Sequence, residues 1–371
     1  MSQNEGQEAG DEGETMGVAD GERSQQGQFP IVGVGASAGG LEDLEKFFDH
    51  LPSDTGMAFV VIQHLSPDYK SLMAELLSKH TKMKVMRAED GLPVERDEVY
   101  LIPPKKTLRI FNGRLLLEEQ ESRGGLNLPI DIFFRALAKD SGELAVGVVL
   151  SGTGSDGMRG VRAIKEAGGM VMVQDVESAK FDGMPRSALS TGLADYVLNP
   201  GKMPKKLISY FEGGHPAALV SRSSATVDPE TGVFARVLDL LRRRHSVDFS
   251  LYKPNTVTRR LERRMRINQF TNLEDYYRLA AESSQELATL YRELLIGVTS
   301  FFRDLEAYQV IREKVLPDLF SSLKEGETLR VWVPGCSTGE EAYSLAMLLA
   351  EYLDEHQKRM DVKVFATDVD R

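Results

Sequence analysis

Three polar side chains in the first half of the sequence could together activate a serine nucleophile. Ser37, His64 and Asp156 each follow a short apolar run, and the first and third lie in glycine-rich segments. Because the carboxyl ends of parallel strands gather at one edge of a sheet, these side chains are expected to meet there. In such an arrangement the histidine removes the serine proton and the aspartate fixes the imidazole tautomer. The pattern therefore predicts a Ser-His-Asp hydrolytic site.

The turn around Ser37 also matches two other patterns. A Gly-x-Gly-x-x-Ala sequence begins at Gly33, as in dinucleotide-binding turns. Such turns require an acid at the end of the next strand, where His64 stands instead. A serine between strand and helix is also a common N-cap, and on the motif alone this structural role is favoured. The positions of the histidine and the aspartate after other strands favour the hydrolytic site over both the dinucleotide turn and the N-cap.

The elements that must position these side chains alternate between two periodicities. Fully apolar runs of strand length lie at 31–35, 59–63, 99–103, 145–152 and 170–175. Runs of this kind are typical of strands buried on both faces. Segments with the helical spacing of apolar residues lie between them, at 41–51, 130–140 and 158–168. The alternation predicts a parallel α/β sheet from about residue 29 to residue 211.

Composition restricts the class of protein. The chain has 371 residues, 42% of them hydrophobic and 27% charged, which is typical of a globular protein with two or three domains. The single cysteine, Cys336, excludes a disulfide framework or a cysteine-rich zinc site and fits a reducing, cytoplasmic compartment. No apolar run approaches the ~20 residues of a membrane span. The net charge of -11 argues against non-specific binding of nucleic acid.

Composition also divides the chain into segments. Residues 1–28 hold seven acids against one arginine and no aromatic residue, which predicts a disordered acidic tail. Residues 212–232 are rich in glycine, proline, serine and threonine, as an interdomain linker would be. Residues 233–325 are helical in pattern, with helices expected near 254–268, 272–282, 284–297 and 304–324. A strand, a glycine turn and a helix follow in 326–371.

This last segment is a second candidate site. The turn within VWVPGCSTGEEAYSLA would let the backbone approach a nucleotide-like ligand. Glu340 could accept hydrogen bonds from an amino group or a ribose, and Asp368, at the end of the next strand, is the acid expected to bind ribose hydroxyls. An ordinary strand-helix unit without a ligand is the alternative.

The first half resembles the CheB-type protein-glutamate methylesterases of chemotaxis. The segments that carry the resemblance are GASAGG, IQH, PIDIFFRALA, LSGTGSDGMRG and VQDVESAKFDGMPRSAL. The resemblance implies a doubly wound α/β domain that hydrolyses glutamate γ-methyl esters on chemoreceptors, and can deamidate receptor glutamines, without a cofactor or metal. It assigns the triad to Ser37, His64 and Asp156. Ala38 replaces the usual threonine, and Thr153 replaces a methionine linked to the oxyanion site.

The second half resembles the CheR-type chemotaxis methyltransferases over about 233–371, through TSFFRD, GCSTGEEAYS and ATDVD. The resemblance implies contacts to S-adenosylmethionine from Thr299, Arg303, Glu340 and Asp368, while Gly297 stands where an asparagine is common. A methyltransferase sheet of the Rossmann type has about six or seven strands. Because only two are visible here, this module is expected to be incomplete and to bind S-adenosylmethionine weakly or not at all. The phospho-receiver usual before the esterase is also missing, so control by phosphorylation is not expected.

Five arginines on the predicted helix 254–268 form a basic face at helical spacing: Arg259, Arg260, Arg263, Arg264 and Arg266. A solvated face and a nucleic-acid surface are two interpretations, the second weakened by the lack of interleaved aromatic residues. The family resemblance favours a third, docking onto the acidic helices of chemoreceptors.

The sequence thus predicts a doubly wound parallel-sheet methylesterase domain, an all-α helical domain and the start of a Rossmann-like methyltransferase sheet. The expected partners are methyl-accepting chemoreceptor helices, with a sensor kinase as a further candidate, and neither nucleic acid nor membrane insertion is expected. The alternative function is a non-catalytic signalling module that binds a receptor or a kinase.

Overall fold

The computed structural model describes residues 29–63, 73–120, 128–212, 232–297, 299–323 and 327–369. In the first half the elements are, in chain order, β1 Ile31–Ala36, α1 Gly40–Asp49, β2 Ala58–Gln63, α2 Met73–Leu77, β3 Lys84–Arg87, β4 Leu92–Pro93, β5 Glu98–Leu101, β6 Lys106–Phe111, β7 Arg114–Glu119, α3 Pro129–Ser141, β8 Ala145–Val149, α4 Met158–Glu166, β9 Met170–Gln174, α5 Gly183–Ser190, β10 Tyr196–Leu198 and α6 Met203–Glu212.

Seven of these strands form a parallel sheet in the order β10-β9-β8-β1-β2-β5-β3. The chain starts in the middle of the sheet, at β1, and builds outward to one side before it returns to add β8 on the other. Ile31 accordingly pairs with Ala58 on one side and with Ala145 on the other. Such a reversal of strand order leaves a crevice at the carboxyl ends of the two strands concerned. The predicted doubly wound sheet is confirmed, and its strand order reverses between β1 and β8.

Helices cover both faces of the sheet, as its fully apolar strands require. One face packs against α3, α4 and α5 through buried residues such as Phe134, Ile164 and Ala188. The other packs against α1, α2 and α6 through residues such as Phe47, Leu77 and Leu207. Burial of each large side chain of this kind stabilises the fold by about 1.5–3 kcal/mol.

A three-stranded antiparallel sheet, β4-β7-β6, was not predicted from the sequence. Its hairpin turns at Asn112 and Gly113, both of which have positive φ. Asn-Gly is the pair that a two-residue hairpin turn favours, so the sequence carried a usable sign of this element.

In the second half the elements are α7 Gly232–His245, α8 Pro254–Ile267, α9 Leu273–Glu282, α10 Ser284–Leu294, α11 Leu305–Val310, α12 Leu316–Ser322, β11 Thr328–Pro334, α13 Glu340–Glu355 and β12 Asp361–Thr367. Helices α7 to α10 share a core that includes Phe234, Leu241, Phe249, Leu261 and Leu290. The long helix predicted at 304–324 is interrupted by a π-helical turn at 311–315, and Pro317 lies in the first turn of α12. Because proline has no amide hydrogen, a regular hydrogen-bond ladder cannot pass through it.

The last two strands, β11 and β12, pair in parallel around α13. Among the described residues they form a two-stranded sheet, and Trp332 and Phe365 on it are largely exposed. The predicted acidic tail 1–28 and nearly all of the predicted linker 212–232 lie outside the described residues. No helix in the described parts of the chain is both long and apolar enough to cross a membrane.

Candidate active site

Ser37 follows the central strand directly. β1 ends at Ala36, and Gly39, with φ of 75°, is the residue from which α1 starts. The N-cap role considered for Ser37 is therefore taken by a glycine, which adopts the left-handed conformation without strain. The Ser37 amide donates a hydrogen bond to the carbonyl of Ser151 at 3.0 Å, which ties this turn to the end of β8.

Asp156 lies in the loop between β8 and α4 and is buried. Its carboxylate accepts hydrogen bonds from the amides of Ile130 at 3.0 Å, Asp131 at 2.9 Å and Gly157 at 2.9 Å. Three such donors hold the carboxylate in one orientation. Ser37 and Asp156 thus follow the carboxyl ends of two neighbouring strands, at the crevice that the strand order creates.

His64, the third predicted member of the triad, lies outside the described residues. The strand that leads to it is described: β2 pairs with β1 along its whole length and ends at Gln63. The carboxyl end of β2 therefore lies beside that of β1, on the side opposite β8.

Sequence reasoning missed a hydrogen-bonded scaffold beneath the serine. The Ser151 hydroxyl donates to the carbonyls of Ala38, at 3.1 Å, and Phe181, at 3.2 Å, and accepts from the Phe181 amide at 2.9 Å. The Ser151 amide donates to the side-chain oxygen of Gln174 at 2.7 Å, and both Ser151 and Gln174 are buried. This scaffold fixes the loop after β8 against the turn that carries Ser37. In the sequence, a polar residue at the end of an apolar strand run could have indicated this scaffold, because a buried polar group requires a hydrogen-bond partner.

Gly152 allows the same two segments to approach each other. A Cβ atom at this position would lie 2.2 Å from the sulfur of Met184 and 2.8 Å from Cβ of Ser37. Any side chain there would push the serine turn away from the loop that holds Asp156.

The second predicted site also forms in part. Asp368 accepts a hydrogen bond from the Ser337 amide at 2.6 Å, so this acid is held against the glycine turn after β11. Glu340 begins α13 and accepts from the Thr338 hydroxyl at 2.5 Å. Two carboxylates around a glycine turn supply hydrogen-bond acceptors that fit the ribose hydroxyls and the amino group of S-adenosylmethionine.

The segment that carries Thr299 and Arg303 approaches the same turn. A Cβ atom at Gly297 would lie 2.3 Å from the Ser337 hydroxyl, and the Phe302 amide donates to the Ser344 hydroxyl at 2.9 Å. The close approach at Gly297 explains why no larger residue stands there. Gly297 and Phe302 thus hold the segment of Thr299 and Arg303 against the unit that carries Glu340 and Asp368, and Arg303 is exposed.

The expectation of a free basic face on α8 is wrong. Arg263 and Arg264 are buried. Arg260 donates to the carbonyls of Lys165, at 3.0 Å, and Glu166, at 3.2 Å, and Arg263 to those of Gly168, at 3.1 Å, and Gly169, at 2.6 Å. The arginines thus supply cations and donors to the C-terminal end of α4, where a helix leaves carbonyls unpaired and favours positive charge.

Beneath these contacts lies a buried network of charges. Its members are three cations, Lys165, Arg263 and Arg264, and three carboxylates, Asp195, Glu286 and Glu293. Lys165 and Asp195 come from the α/β domain and the other four from the helical domain. Balanced opposite charges are the condition under which ions tolerate burial.

The network occupies the amino-terminal edge of the sheet. Gly169 and Asp195 directly precede β9 and β10, whereas Ser37 and Asp156 follow the carboxyl ends of β1 and β8. The helical domain is therefore attached at the edge opposite the candidate catalytic residues and leaves their crevice uncovered from that side. Within the described residues no group of histidine, cysteine, aspartate and glutamate side chains could hold a metal ion.

Three family models match this chain in succession. The CheB methylesterase model matches residues 32–207, the all-alpha domain of CheR methyltransferase matches 233–295, and its SAM binding domain matches 297–371. These boundaries follow the α/β domain, the helical domain and the β11–β12 unit.

Two curated proteins and one solved structure are similar to parts of this chain. An uncharacterized 104.1 kDa protein of Rhodobacter capsulatus is 42% identical over 80% of this chain and 33% of its own length. A protein-glutamate methylesterase/protein-glutamine glutaminase of Photorhabdus laumondii is 33% identical over 50% of this chain and 53% of its own. The crystal structure of the Thermotoga maritima CheB methylesterase catalytic domain is 32% identical, with a TM-score of 0.46, over 49% of this chain and 98% of that one.

The chain spans about a third of the length of the first relative and about half that of the second. The order of the three matched families is the order in which the sequence motifs and the folded domains occur. The chain therefore carries a CheB methylesterase domain over residues 32–207, followed by the all-alpha and SAM-binding domains of a CheR methyltransferase.

Proposed function

We propose that the esterase domain hydrolyses glutamate γ-methyl esters on methyl-accepting chemoreceptors in the cytoplasm, with Ser37, His64 and Asp156 as its catalytic residues. The observation that carries this proposal is the placement of Ser37 and Asp156 after the carboxyl ends of neighbouring strands at the topological switch of the sheet. The buried, triply hydrogen-bonded carboxylate of Asp156 supports its role as the group that orients a histidine.

The reaction proceeds in two acyl-transfer steps. His64 takes the Ser37 proton as the serine oxygen attacks the ester carbonyl, and amides of the turn at the start of α1 stabilise the oxyanion. The bond to the methoxy group then breaks, and the proton passes from His64 to the leaving methanol. A water molecule, deprotonated by His64, then attacks the acyl-serine. The bond to the serine oxygen breaks, His64 returns the proton to that oxygen, and the glutamate leaves. The same sequence with ammonia as the leaving group would deamidate a glutamine.

A non-catalytic module that binds a receptor or a sensor kinase is the alternative, and covalent labelling separates the two. A fluorophosphonate reacts with an activated serine and forms a stable adduct on it. We expect a single adduct, which peptide mass spectrometry places on Ser37, and release of methanol from a helical peptide that carries glutamate γ-methyl ester. An unlabelled chain that binds the methylated peptide without releasing methanol would favour the alternative.

For the second module we propose the cofactor site of a receptor-glutamate methyltransferase, at which S-adenosylmethionine would supply the methyl group when bound. The two described strands give this site little support, so we expect this chain to transfer little or no methyl. Asp368 would hold the ribose hydroxyls from the end of β12, and Glu340 would accept from the amino group or the ribose. Thr299 and Arg303 would complete the site from the segment that reaches the glycine turn through Gly297. The esterase half requires no cofactor in this account.

A further inference from the structure

Among the helices of the esterase domain that start without a side-chain cap of their own are α3 and α4. α3 follows Leu128 and α4 follows Gly157, and neither residue caps its helix through a side-chain hydrogen bond. The first four amides of a helix have no partner within it. In a buried position such amides require acceptors from another element.

Each of the two helices receives its acceptor from the other. Asp156, just before α4, accepts from the Ile130 and Asp131 amides in the first turn of α3. In return the side chain of Asp131 accepts from the Gly160 amide, in the first turn of α4, at 2.7 Å. Two carboxylates therefore cap each other's helices, and one of them is the proposed catalytic aspartate. The two helices pack closely there, since a Cβ atom at Gly160 would lie 2.5 Å from Cβ of Phe134.

Asp131 destabilises the fold more than an ordinary helix cap would. It is buried, and its Oδ2 atom has no hydrogen-bond partner in the described part of the chain. Burial raises the pKa of Asp131, as does the charge of Asp156, while the Gly160 amide and Arg159 act in the opposite direction. An unpaired buried carboxylate oxygen beside a second acid destabilises the fold. Serine or asparagine would cap the helix without burying a charge. The presence of an acid here, despite its destabilising effect, indicates a role in the site beyond capping.

We propose that Asp131 is a positioning residue of the esterase, which holds the first turn of α4 and so fixes the orientation of the Asp156 carboxylate. The inference rests on the proposed function, in which Asp156 orients His64. If Asp131 loses its hydrogen bond to Gly160, the loop from Ser151 to Gly157 is anchored at one fewer point. Small displacements of a catalytic group reduce turnover strongly while substrate binding is unaffected.

The test compares Asp131→Ala, Asp131→Asn and the control Asp140→Ala in the full chain. Asp140 is matched because it lies at the far end of α3 and accepts the Gly113 amide at 3.3 Å. Methanol release from a helical peptide with glutamate γ-methyl ester is measured per active site titrated with a fluorophosphonate. We expect kcat of Asp131→Ala to fall by about 10–100-fold with KM within about twofold. Asp131→Asn should recover most of kcat because its carbonyl oxygen can accept from Gly160, and Asp140→Ala should match the wild type.

Two results would overturn the inference. One is full turnover per titrated site in Asp131→Ala, and the other is an asparagine variant as impaired as the alanine variant. Should Asp131→Ala fail to fold, the comparison of Asp131→Asn with the wild type still decides, since the inference requires them to be within about threefold of each other. A wild-type chain without turnover, or a Ser37→Ala variant with it, would instead contradict the proposed function.

Discussion

Lys165 of the esterase domain and Glu293 of the helical domain form a buried ion pair, with 2.8 Å between Nζ and Oε1. Both side chains are about 2% exposed. Asp195 of the esterase domain also pairs with Lys165, and Arg263 of the helical domain also pairs with Glu293. Lys165 belongs to the last turn of α4, the helix whose other end follows Asp156. The attachment of the methyltransferase module and the candidate esterase site thus share one helix.

Removal of one charge from this network should destabilise the chain strongly. Glu293→Gln leaves Lys165 and Arg263 buried without full compensation, and we expect the free energy of unfolding to fall by about 3–5 kcal/mol. The matched control is Glu274→Gln, which breaks an exposed pair with Arg236 in the same domain and should cost less than about 1 kcal/mol. Chemical denaturation of both variants measures the difference. Equal small effects would show that the network does not hold the domains together.

The same network should make stability depend on acid pH. Burial alone would raise the pKa of Glu293, but Arg263, with Lys165 and Arg264, lowers it below its ordinary value of 4.5. A lowered pKa contributes stability that is fully present above 4.5 and is lost as the pH falls from there toward the folded-state pKa. The difference in unfolding free energy between wild type and Glu293→Gln should therefore be constant from pH 7 to about 5 and shrink below about 4. A difference that grows on acidification would contradict the assignment.

The 371-residue chain should bind S-adenosylmethionine weakly or not at all. Asp368 and Glu340 lie around the glycine turn, but the sheet beneath them has two strands among the described residues and an exposed Trp332. A ligand site requires support that fixes its contacting side chains, and two strands give little. Titration calorimetry tests this. Micromolar binding that Asp368→Ala abolishes would show that the two-stranded unit suffices.

Esterase activity should fall on the acid side with an apparent pKa near or above ~6.5, the ordinary value for histidine. His64 must be neutral to accept the serine proton, and a carboxylate partner such as Asp156 shifts its pKa upward. The rate of methanol release between pH 5 and 8 measures this, with circular dichroism as the check that the chain stays folded. A flat profile would exclude a histidine base.

The sequence predicted the α/β sheet well because strands buried on both faces leave long apolar runs, as at 31–35 and 145–152. It placed Ser37 and Asp156 at strand ends for the same reason. It could not predict that arginines on α8 are buried against α4, because helical spacing shows that they share a face but does not show what packs on that face. Nor did it assign Asp131 a role in the site, because its partner Gly160 lies in another helix, 29 residues along the chain. Contacts between distant segments of this kind depend on packing that local pattern does not encode.

The central claim is that Ser37 is the nucleophile of an esterase, and methanol release by Ser37→Ala tests it most directly. The control is Ser321→Ala, which removes an exposed serine hydroxyl in α12 that donates to the Asp318 carbonyl. We expect Ser37→Ala to fold normally and to lose turnover of a glutamate γ-methyl ester peptide by about a thousandfold or more, while Ser321→Ala retains it. Near-normal turnover by a folded Ser37→Ala variant would contradict the account.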